Sequence, residues 1–387
     1  MSLPSSASRR RFVQSGLWGA AALALSQLPT SAWGADDAAD EQLIPFLDPQ
    51  PIDPNKATLH WHELKDWITP KDQFFNVSHY GTAKVPAEYA LDITGHVDQP
   101  KTLTLDQVKA LPKKDVTATL ECSGNGSSTK FCGAIGNAKW SGASLADLLK
   151  SCGIAAGAIE VAFYGHDKGK EKIRGGEYEQ HFARALSIAD ATSRPDLILA
   201  YEMNGEPLTV GHGAPLRLVV PGWYGIAWVK WLKSIEVRDH RLMTRFMAKD
   251  YVTLRGEELP DGTTAWKESS VGPMNIKSFV AKVVKRADGS VKVMGAAWSG
   301  LNAVKAVEVK VDEGDWVAAK IDDAHQEPYT WRFWSFDWKD PKPGEHTITS
   351  RAIDANATIQ PAADDPAIKL KKTYWEANQQ WPRKVRL

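Results

Sequence analysis

Cysteine is scarce in this 387-residue chain, which contains only Cys122, Cys132 and Cys152. No C-x-x-C pair occurs, and this excludes a dithiol redox motif and a zinc knuckle. No C-x-x-C-H occurs either, so we expect no c-type haem on this chain. Because the number is odd, at least one cysteine is unpaired or bound to something else, and a disulfide between Cys132 and Cys152 is left open.

Nucleotide-binding motifs, excess positive charge and long apolar runs are also missing. No G-x-G-x-x-G follows a strand pattern and no G-x-x-x-x-G-K-[ST] is found, so a nucleotide cofactor has no support. The 47 Lys and Arg residues balance 47 Asp and Glu residues, and no nucleic-acid partner is expected. The apolar run Gly16–Leu25 is well short of the roughly 20 residues of a membrane-spanning helix, so no stable membrane anchor is expected.

The first 34 residues have the organisation of an export signal. The twin arginine Arg9-Arg10 lies in a Ser-Arg-Arg-x-Phe context, and the apolar run and the small-residue segment Ser31-Ala32-Trp33-Gly34 follow it. This pattern is typical of the Tat route, which carries folded proteins. We therefore expect residues 1–34 to be a cleaved signal peptide. The mature protein, with a net charge of −3, is expected in the periplasm with a cofactor inserted before export.

One cysteine stands in a turn of small residues. Cys122 follows the strand-like run Val116–Leu120 and precedes Ser123-Gly124-Asn125-Gly126. Small residues let the backbone bend tightly and leave the thiol open to a large ligand. This stretch alone allows three interpretations: a soft sulfur ligand for a metal, a nucleophile activated by His79 or His212, and a buried, inert cysteine.

The remaining chain is long enough for two domains, with 43% apolar residues and 16 tryptophans. Residues 35–60 are rich in Asp, Pro and Ala and are predicted to form an extended arm with little packing of its own. In residues 61–245, strand patterns alternate with short helices that begin at Thr104 and Ser144, which predicts an α+β domain rather than a doubly wound one. Phe74–Tyr80 is predicted to be a strand or a buried extended segment.

Three basic side chains of this domain lie in apolar surroundings. His212 and Arg217 are five positions apart beside an apolar strand, and Lys230 is flanked by Val229 and Trp231. A buried cation is costly unless it is paired. Its partner is either an internal carboxylate or a bound anion such as a phosphate.

After about residue 245 the sequence changes to short strands of period two, separated by turn residues. This pattern predicts an immunoglobulin-like β-sandwich over residues 246–387. The predicted strands are Ser278–Val284, Val291–Trp298, Val304–Val311, Tyr329–Phe336 and His346–Ala352.

A series of motifs, in this order along the chain, resembles the sulfite oxidase family of molybdenum enzymes over essentially the whole mature chain. The resemblance implies a mixed α/β molybdopterin-binding domain followed by the immunoglobulin-like sandwich, which forms a homodimer interface. The motifs are Glu121-Cys122-x-Gly124-Asn125, Ala200-Tyr201-Glu202-Met203-Asn204-Gly205, His212-Gly213-x-Pro215-Leu216-Arg217, Val229-Lys230-Trp231-Leu232, Ala297-Trp298-Ser299-Gly300 and Arg351-Ala352-x-Asp354.

The resemblance also implies a Mo-molybdopterin cofactor with one molybdenum per chain. Cys122 is the implied metal ligand, because soft sulfur suits a transition metal whose cofactor performs the redox chemistry. Tyr251 is the implied active-site tyrosine. The implied cofactor-binding positions are Phe75, His79, Cys122, Asp167, His212, Arg217 and Lys230.

Oxygen-atom transfer is the implied reaction, with sulfite oxidised to sulfate by default and electrons passed to an external c-type cytochrome. However, the three arginines with which the family binds sulfite are replaced by Val77, Ser127 and either Asn302 or Ala303. Each lost hydrogen bond to a charged group weakens the binding free energy of the dianion by about 1.5–3 kcal/mol. The alternative substrate is therefore a less charged sulfur or nitrogen oxo compound, oxidised or reduced.

Two interpretations from other classes stay open. A thiol enzyme would use Cys122 with His79 or His212 and would need a lowered thiol pKa. A non-catalytic binding protein would contain neither metal nor pterin. Lys130 and Arg174 are predicted to be solvated surface residues rather than substitutes for the missing arginines.

Overall fold

The computed structural model describes residues 41–50 and 58–387. The predicted signal peptide, residues 1–34, lies outside the described residues, as does part of the predicted arm. Within the described ranges, no helix is both long and apolar enough to cross a membrane.

The first part of the chain is rich in strands and has three short α-helices. The helices are α1 (Leu105–Lys109), α2 (Leu145–Cys152) and α3 (Ile188–Ser193). The strands are β1 (Gln42–Ile44), β2 (Ala90–Gly95), β3 (Lys101–Thr104), β4 (Lys113–Glu121), β5 (Ile135–Ser144), β6 (Glu160–Ile173), β7 (Gly176–Ser187), β8 (Ile198–Met203), β9 (Glu206–Pro207), β10 (Arg217–Val219) and β11 (Leu232–Arg238).

The second part is almost entirely β-structure. Two single-turn helices, α4 (Arg245–Ala248) and α5 (Pro366–Lys369), flank it. Its strands are β12 (Val252–Glu258), β13 (Thr264–Ser270), β14 (Lys277–Lys285), β15 (Val291–Trp298), β16 (Val304–Val311), β17 (Val317–Ala318), β18 (Lys320–Ile321), β19 (Arg332–Trp338), β20 (Glu345–Asp354) and β21 (Arg383–Arg386).

Strands β2 to β11 form two five-stranded sheets, ordered β3-β2-β11-β6-β7 and β10-β8-β5-β4, with β9 beside β8. Only the pairing of β2 with β11 is parallel within these two sheets; the others are antiparallel. Trp140, Phe163 and Phe246 are fully buried in the core that these sheets share. The predicted α+β architecture is confirmed, since a doubly wound sheet would be mostly parallel.

The two helix caps that the sequence predicts are present in the structure. Thr104 caps α1 in a capping box with Gln107, and the Ser144 hydroxyl accepts the Asp147 N–H at the start of α2. Phe74–Tyr80 is extended and not a strand, and it is buried only at its start: Phe74 and Phe75 are buried, whereas Asn76, Val77 and His79 are exposed.

The predicted β-sandwich is confirmed by two antiparallel sheets, β1-β14-β15-β19-β18 and β17-β16-β20-β21. Alternate residues of both sheets fill the space between them, as in Val283, Trp334 and Ile348. The domain boundary predicted between residues 245 and 246 falls inside α4. The domain bounds therefore stay a prediction.

The prediction that the N-terminal arm has little packing of its own is wrong for its described residues. Gln42–Ile44 pair with Val283–Lys285 as an edge strand of the sandwich. Ile44 and Leu59 are buried, and Asp48 forms an ion pair with Arg383. The Asp- and Pro-rich composition of the arm gave no indication that Gln42–Ile44 would pair with the edge of the sandwich as a strand.

Two hairpins were not predicted: β6–β7 and β12–β13. The outer half of the β6–β7 hairpin carries mostly charged residues, as in Lys168–Lys172, so it lacks the apolar alternation that marks a half-buried strand. The hairpin is nevertheless paired along most of its length, from Glu160 with Ser187 to Ile173 with Gly176.

The first domain and the sandwich are joined by a reciprocal pair of hydrogen bonds. The indole N–H of Trp67 donates to the Trp331 carbonyl (3.3 Å), and the indole N–H of Trp331 donates to the Trp67 carbonyl (2.9 Å). The Trp331 backbone N–H also donates to the Thr119 hydroxyl on β4 (2.8 Å). All three residues are buried, so this joint is shielded from water.

Candidate functional site

A cleft with an open volume of about 680 Å³ is lined by residues of β4, β6, β7 and β10 and by the loops next to these strands. Its size is in the range of cofactor sites. All the predicted site residues line this one cleft: Phe75, His79, Cys122, Asp167, His212, Arg217, Lys230 and Tyr251.

Cys122 begins the turn after β4. Its backbone N–H donates to the Ala134 carbonyl and its carbonyl accepts the Asn125 N–H, both at 2.9 Å. Burial raises the pKa of the Cys122 thiol to about 11. A nucleophilic cysteine needs a lowered pKa, so this environment disfavours a thiol enzyme and suits a ligand that a metal deprotonates on binding.

The residue before this cysteine anchors the turn. The Glu121 carboxylate accepts hydrogen bonds from the Asn125 amide (2.9 Å), the Trp298 indole (2.8 Å) and the Lys277 ammonium (2.5 Å). Glu121, Lys277 and Trp298 are all buried, and the last two belong to the sandwich. The second domain therefore helps to position the loop that carries Cys122.

Arg217 is a buried cation without a carboxylate partner among the described residues. Its guanidinium donates to the carbonyls of His212 and Trp228, both at 3.1 Å, and lies 4.9 Å from the Trp140 ring centroid. Its Nε atom is buried with no hydrogen-bond partner in the described chain. Burial lowers the pKa of Arg217 to about 9. Of the two partners that the sequence left open, these contacts favour a bound anion.

Lys230 lines the same cleft and lies close to this guanidinium. Its ammonium donates to the Asn76 side chain (2.8 Å) and the Gly211 carbonyl (3.0 Å). Burial and the charge of Arg217 lower the pKa of Lys230 to about 7. A second cation held this way, close to the first, forms a site that attracts an anion.

The two histidines on the cleft wall are uncharged at neutral pH. Burial lowers the pKa of His212, whose ring nitrogens lie 2.8 Å from the Thr209 hydroxyl and 3.2 Å from the Phe74 carbonyl. Burial, followed by the charge of Arg245, lowers the pKa of His79. Neutral rings of this kind present hydrogen-bonding edges and flat faces to a planar heterocycle.

Asp167 and Phe75 complete the wall. Burial raises the pKa of Asp167 to about 6, and its Oδ1 atom is buried without a hydrogen-bond partner in the described chain. A β-carbon on Gly165 would lie 2.2 Å from that oxygen, so a larger residue at this position would displace the Asp167 side chain. The unsatisfied carboxyl oxygen is a ready acceptor for a ring N–H of a ligand.

Tyr251 also lines the cleft and lies close to the Cys122 thiol. It adopts φ +53, a left-handed conformation that is rare for a large side chain and clusters at functional sites. Its ring lies 4.4 Å from that of Trp375 and 6.3 Å from that of His79. Burial and the nearby Cys122 raise the pKa of Tyr251 well above its usual value, so its hydroxyl remains a donor.

The positions of the missing sulfite-binding arginines supply no cation. Val77 lines the cleft with 45% of its side chain exposed. Ser127 and Ala303 are exposed, and Asn302 donates to the Asp354 carboxylate at 3.2 Å. Lys130 and Arg174 are exposed, as the sequence predicted.

The cleft fits a molybdopterin. Within the described ranges no group of three or more His, Cys, Asp and Glu residues could hold a metal, so a metal here needs ligands from a cofactor besides one protein thiol. Cys122 provides that soft thiol, and Arg217 and Lys230 provide an anion site. The unpartnered Arg217 Nε and Asp167 Oδ1 atoms are polar groups that such a ligand would satisfy.

Sequence reasoning missed two aromatic residues that pack beside the turn that carries Cys122. A Cβ on Gly124, two residues after the cysteine, would lie 3.2 Å from the Tyr374 ring and 3.6 Å from the Trp375 ring. These residues lie about 250 positions downstream in an irregular segment with no motif. Only the tertiary return of the chain brings them to Cys122. All three cysteines carry free thiols, so Cys132 and Cys152 are not paired.

Comparisons with known proteins agree with this architecture. A family model described as "Oxidoreductase molybdopterin binding domain" matches residues 79–246, and one described as "Mo-co oxidoreductase dimerisation domain" matches residues 269–376. The "Sulfane Dehydrogenase SoxCD" structure from Paracoccus pantotrophus has a TM-score of 0.70 at 24% identity, over 90% of this chain and 88% of that one. At that identity the likeness concerns the fold.

Two sulfite oxidases are more similar in sequence. The mitochondrial sulfite oxidase of Drosophila melanogaster is 33% identical over 77% of this chain, and the chain spans 56% of that protein's length. The sulfite oxidase of Arabidopsis thaliana is 31% identical over 83% of this chain and 88% of its own length. Because the match covers nearly all of the plant enzyme, and both domain models match in order, the chain belongs to the sulfite oxidase family of oxidoreductases, whose cofactor is Mo-molybdopterin.

Proposed function

We propose that this protein transfers an oxygen atom to or from a small sulfur or nitrogen oxo compound, at a molybdenum bound to Cys122. Oxidation of sulfite to sulfate is the reference reaction, as in the names of its relatives. The observation that carries this proposal is one cleft lined by the Cys122 thiol and by two cations, Arg217 and Lys230, neither of which forms an ion pair with a carboxylate of the described chain.

Arg217 and Lys230 would hold the phosphate of the cofactor, because the buried Arg217 guanidinium forms no ion pair with a carboxylate of the described chain and the half-buried Lys230 ammonium lies close to it. His79, His212 and Asp167 would contact the pterin, and Cys122 would bind the metal as a thiolate. The molybdenum supplies the two-electron oxygen-atom transfer when it is bound.

The oxidation of sulfite needs one water molecule and releases two protons and two electrons. Tyr251 can donate a hydrogen bond to the reacting group, since its hydroxyl stays protonated at neutral pH. We propose that the two electrons leave one at a time to an external c-type cytochrome. No haem is expected on this chain.

A less charged substrate is the second candidate. It is favoured by Val77, Ser127 and Asn302, which place no guanidinium where a dianion would need one. A dianion that loses three charge-assisted contacts binds far more weakly, because each contact contributes about 1.5–3 kcal/mol. The fold neighbour is named for a sulfur substrate other than sulfite, sulfane sulfur.

The assembly and location of the protein are part of the same proposal. Residues 269–376 match a domain named for dimerisation, which supports a homodimer. The Arg9-Arg10 motif supports export by the Tat route to the periplasm.

The first test is molybdenum and pterin analysis of the mature protein, produced in a host that makes the cofactor. Sulfite-dependent reduction of ferricyanide and of cytochrome c is then measured on the same sample. One molybdenum per chain with sulfite turnover supports the reference reaction, and molybdenum without it supports the second candidate. No molybdenum would overturn the proposal.

A further inference from the structure

Arg184 on β7 is a buried cation just outside the cleft lining, with 2% of the residue exposed. Because side chains alternate between the two faces of a strand, Arg184 shares a face with Phe182, which lines the cleft. Both contact Phe246, whose ring lies 4.7 Å from that of Phe182. Burial lowers the pKa of Arg184 to about 10, so its guanidinium is charged at neutral pH.

Two backbone carbonyls accept hydrogen bonds from this guanidinium. One belongs to Phe246 in the single-turn helix α4, and the other belongs to Val271, 2.5 Å from the Nη2 atom. The last carbonyls of a helix have no donor within the helix, so Arg184 satisfies one of them. The Nε atom of Arg184 is buried without a partner, and no carboxylate of the described chain forms an ion pair with this residue.

Tyr251 is held between the two segments that Arg184 contacts. Phe246 precedes it by five positions, and their ring centroids are 6.4 Å apart. On the other side, the Val271 N–H donates to the Tyr251 carbonyl at 2.9 Å. A tyrosine with φ +53 is strained and persists only where its surroundings fix it. By binding both segments, Arg184 supplies part of that restraint.

Arg184 also acts on the Tyr251 hydroxyl through its charge. Burial, followed by Cys122, Tyr374 and Asp250, raises the pKa of Tyr251, whereas Arg184 lowers it. A nearby cation makes a hydroxyl a stronger hydrogen-bond donor, because it favours loss of the proton. Among these neighbours, Arg184 alone acts in this direction.

From these contacts we infer that Arg184 is a positioning residue of the active site, which acts through Tyr251. It fixes the Tyr251 backbone in its left-handed conformation and so holds the hydroxyl beside the Cys122 thiol. Packing alone does not explain an arginine here, because burying a cation is costly and an apolar side chain would fill the same space. The inference rests on the proposed role of Tyr251 as a hydrogen-bond donor to the reacting group.

The first measurement reports on Tyr251 without turnover. The purified mature protein is labelled with fluorotyrosine, and the fluorine resonance of Tyr251 is assigned as the one that Tyr251→Phe lacks. Spectra are recorded for the parent, Arg184→Met and Arg184→Lys. Arg383→Met is the matched control, since Arg383 is 3% exposed and lies outside the cleft lining, with Asp48 as its carboxylate partner.

The second measurement is a double-mutant cycle on the molybdenum-loaded enzyme, with sulfite and ferricyanide. The parameters kcat and KM are determined for the parent, Arg184→Met, Arg184→Lys, Tyr251→Phe and the double variant of Arg184→Met with Tyr251→Phe. Each kcat is divided by the bound molybdenum, so that a loss of folded enzyme does not count as a loss of rate.

In Arg184→Met the Tyr251 resonance is expected to shift or broaden, and in Arg383→Met it should not. The kcat of Arg184→Met should fall about tenfold with KM within about twofold of the parent, because a misplaced donor is lost from the reaction rather than from binding. Arg184→Lys should be intermediate, since lysine keeps the charge but lacks the planar fork that binds both carbonyls. Adding Arg184→Met to Tyr251→Phe should lower kcat no further, because the two residues act as a unit.

Two results would overturn the inference and leave the proposed function intact. One is an unchanged Tyr251 resonance in Arg184→Met, or in Arg184→Lys if the methionine variant does not fold. The other is a tenfold loss of kcat that persists in the Tyr251→Phe background, in an enzyme that holds molybdenum and oxidises sulfite. A parent without molybdenum would contradict the proposed function instead, and the fluorine spectra would then decide whether Arg184 positions Tyr251.

Discussion

The buried ammonium group of Lys277, on strand β14 of the sandwich, is bound to the carboxylate of Glu121, the residue before Cys122. The two residues are 156 positions apart in the chain, and the Trp298 indole N–H also donates to the Glu121 carboxylate. The environment of the thiol thus depends on a domain that contributes neither of the two cleft cations, Arg217 and Lys230. Mutations in the sandwich can therefore alter the molybdenum site.

Lys277→Met is expected to lower the free energy of unfolding by about 3–5 kcal/mol, because it leaves a buried carboxylate without its partner. Urea denaturation followed by tryptophan fluorescence measures this effect. Lys113→Met is the matched control, since Lys113 and Glu202 form an ion pair at 2.6 Å on the surface, where the loss is about 1 kcal/mol or less. Equal losses in the two variants would contradict the structural role of Lys277.

Cys122→Ser is expected to lose molybdenum-dependent turnover and the visible band that a thiolate bound to molybdenum produces, because a hydroxyl is a hard and weakly acidic ligand. Absorption spectra and metal analysis test this. Cys132→Ala is the control, because Cys132 lies in the second apolar core and outside the cleft lining. Full turnover by Cys122→Ser would show that Cys122 is not a ligand of the metal.

Val77→Arg is expected to lower the KM for sulfite about tenfold. Val77 lines the cleft and is 45% exposed, so an arginine there can reach the substrate without being buried. One added hydrogen bond to a charged group contributes about 1.5–3 kcal/mol, and about 1.4 kcal/mol is a factor of ten. Steady-state kinetics with ferricyanide checks the prediction, with Val77→Gln as the uncharged control. A KM unchanged by arginine but lowered by glutamine would count against it.

Arg217→Met is expected to purify with less than about a tenth of the parent's pterin, and Arg217→Lys with an intermediate amount, because lysine lacks the planar fork that binds phosphate. Pterin fluorescence after oxidation measures the content. Arg383→Met removes another buried arginine, one whose carboxylate partner is Asp48, and should keep its pterin. Full pterin content in Arg217→Met would exclude this residue from the anion site.

Anion binding by the cofactor-free protein should weaken as pH rises from 6 to 8. Lys230 has a pKa of about 7 when the cleft is empty, so it is charged below this pH and loses its proton above it. Asp167, with a pKa of about 6, becomes negative over the same range and acts in the same direction. We expect the dissociation constant of sulfate, whose own charge is constant here, to rise at least about tenfold.

Calorimetric titrations of sulfate at several pH values test this expectation. Lys230→Arg should remove most of the pH dependence, because arginine stays protonated. Asp167→Asn should remove the smaller part that remains. A Lys230→Arg profile as steep as the parent's would show that another group controls anion binding.

Much of the fold could be predicted because its signals are local. Thr104 and Ser144 are helix caps whose partners lie three residues away, and the sandwich strands from Ser278 onward alternate with period two. The meeting of His79, Cys122 and Arg217 in one cleft was implied by the resemblance to the sulfite oxidase family. Their functional roles stay predictions.

The parts that were missed depend on contacts between distant positions. Gln42–Ile44 becomes a strand only because β14 has a free edge, and the charged β6–β7 hairpin has no apolar face to mark it. Nothing in the sequence around Tyr374 points to Gly124. A contact that forms where the end of the chain returns to an earlier loop leaves no periodic signal.

The reciprocal bonds between Trp67 and Trp331 have a consequence for the speed of substrate entry. With the Lys277–Glu121 pair they form two separate buried joints, and two joints prevent rotation about either one. The two domains cannot swing apart as a hinge, a motion that takes microseconds to milliseconds. Exposed side chains that line the cleft, such as Val77, can still rotate within picoseconds to nanoseconds, which is far faster than a hinge opening of two domains.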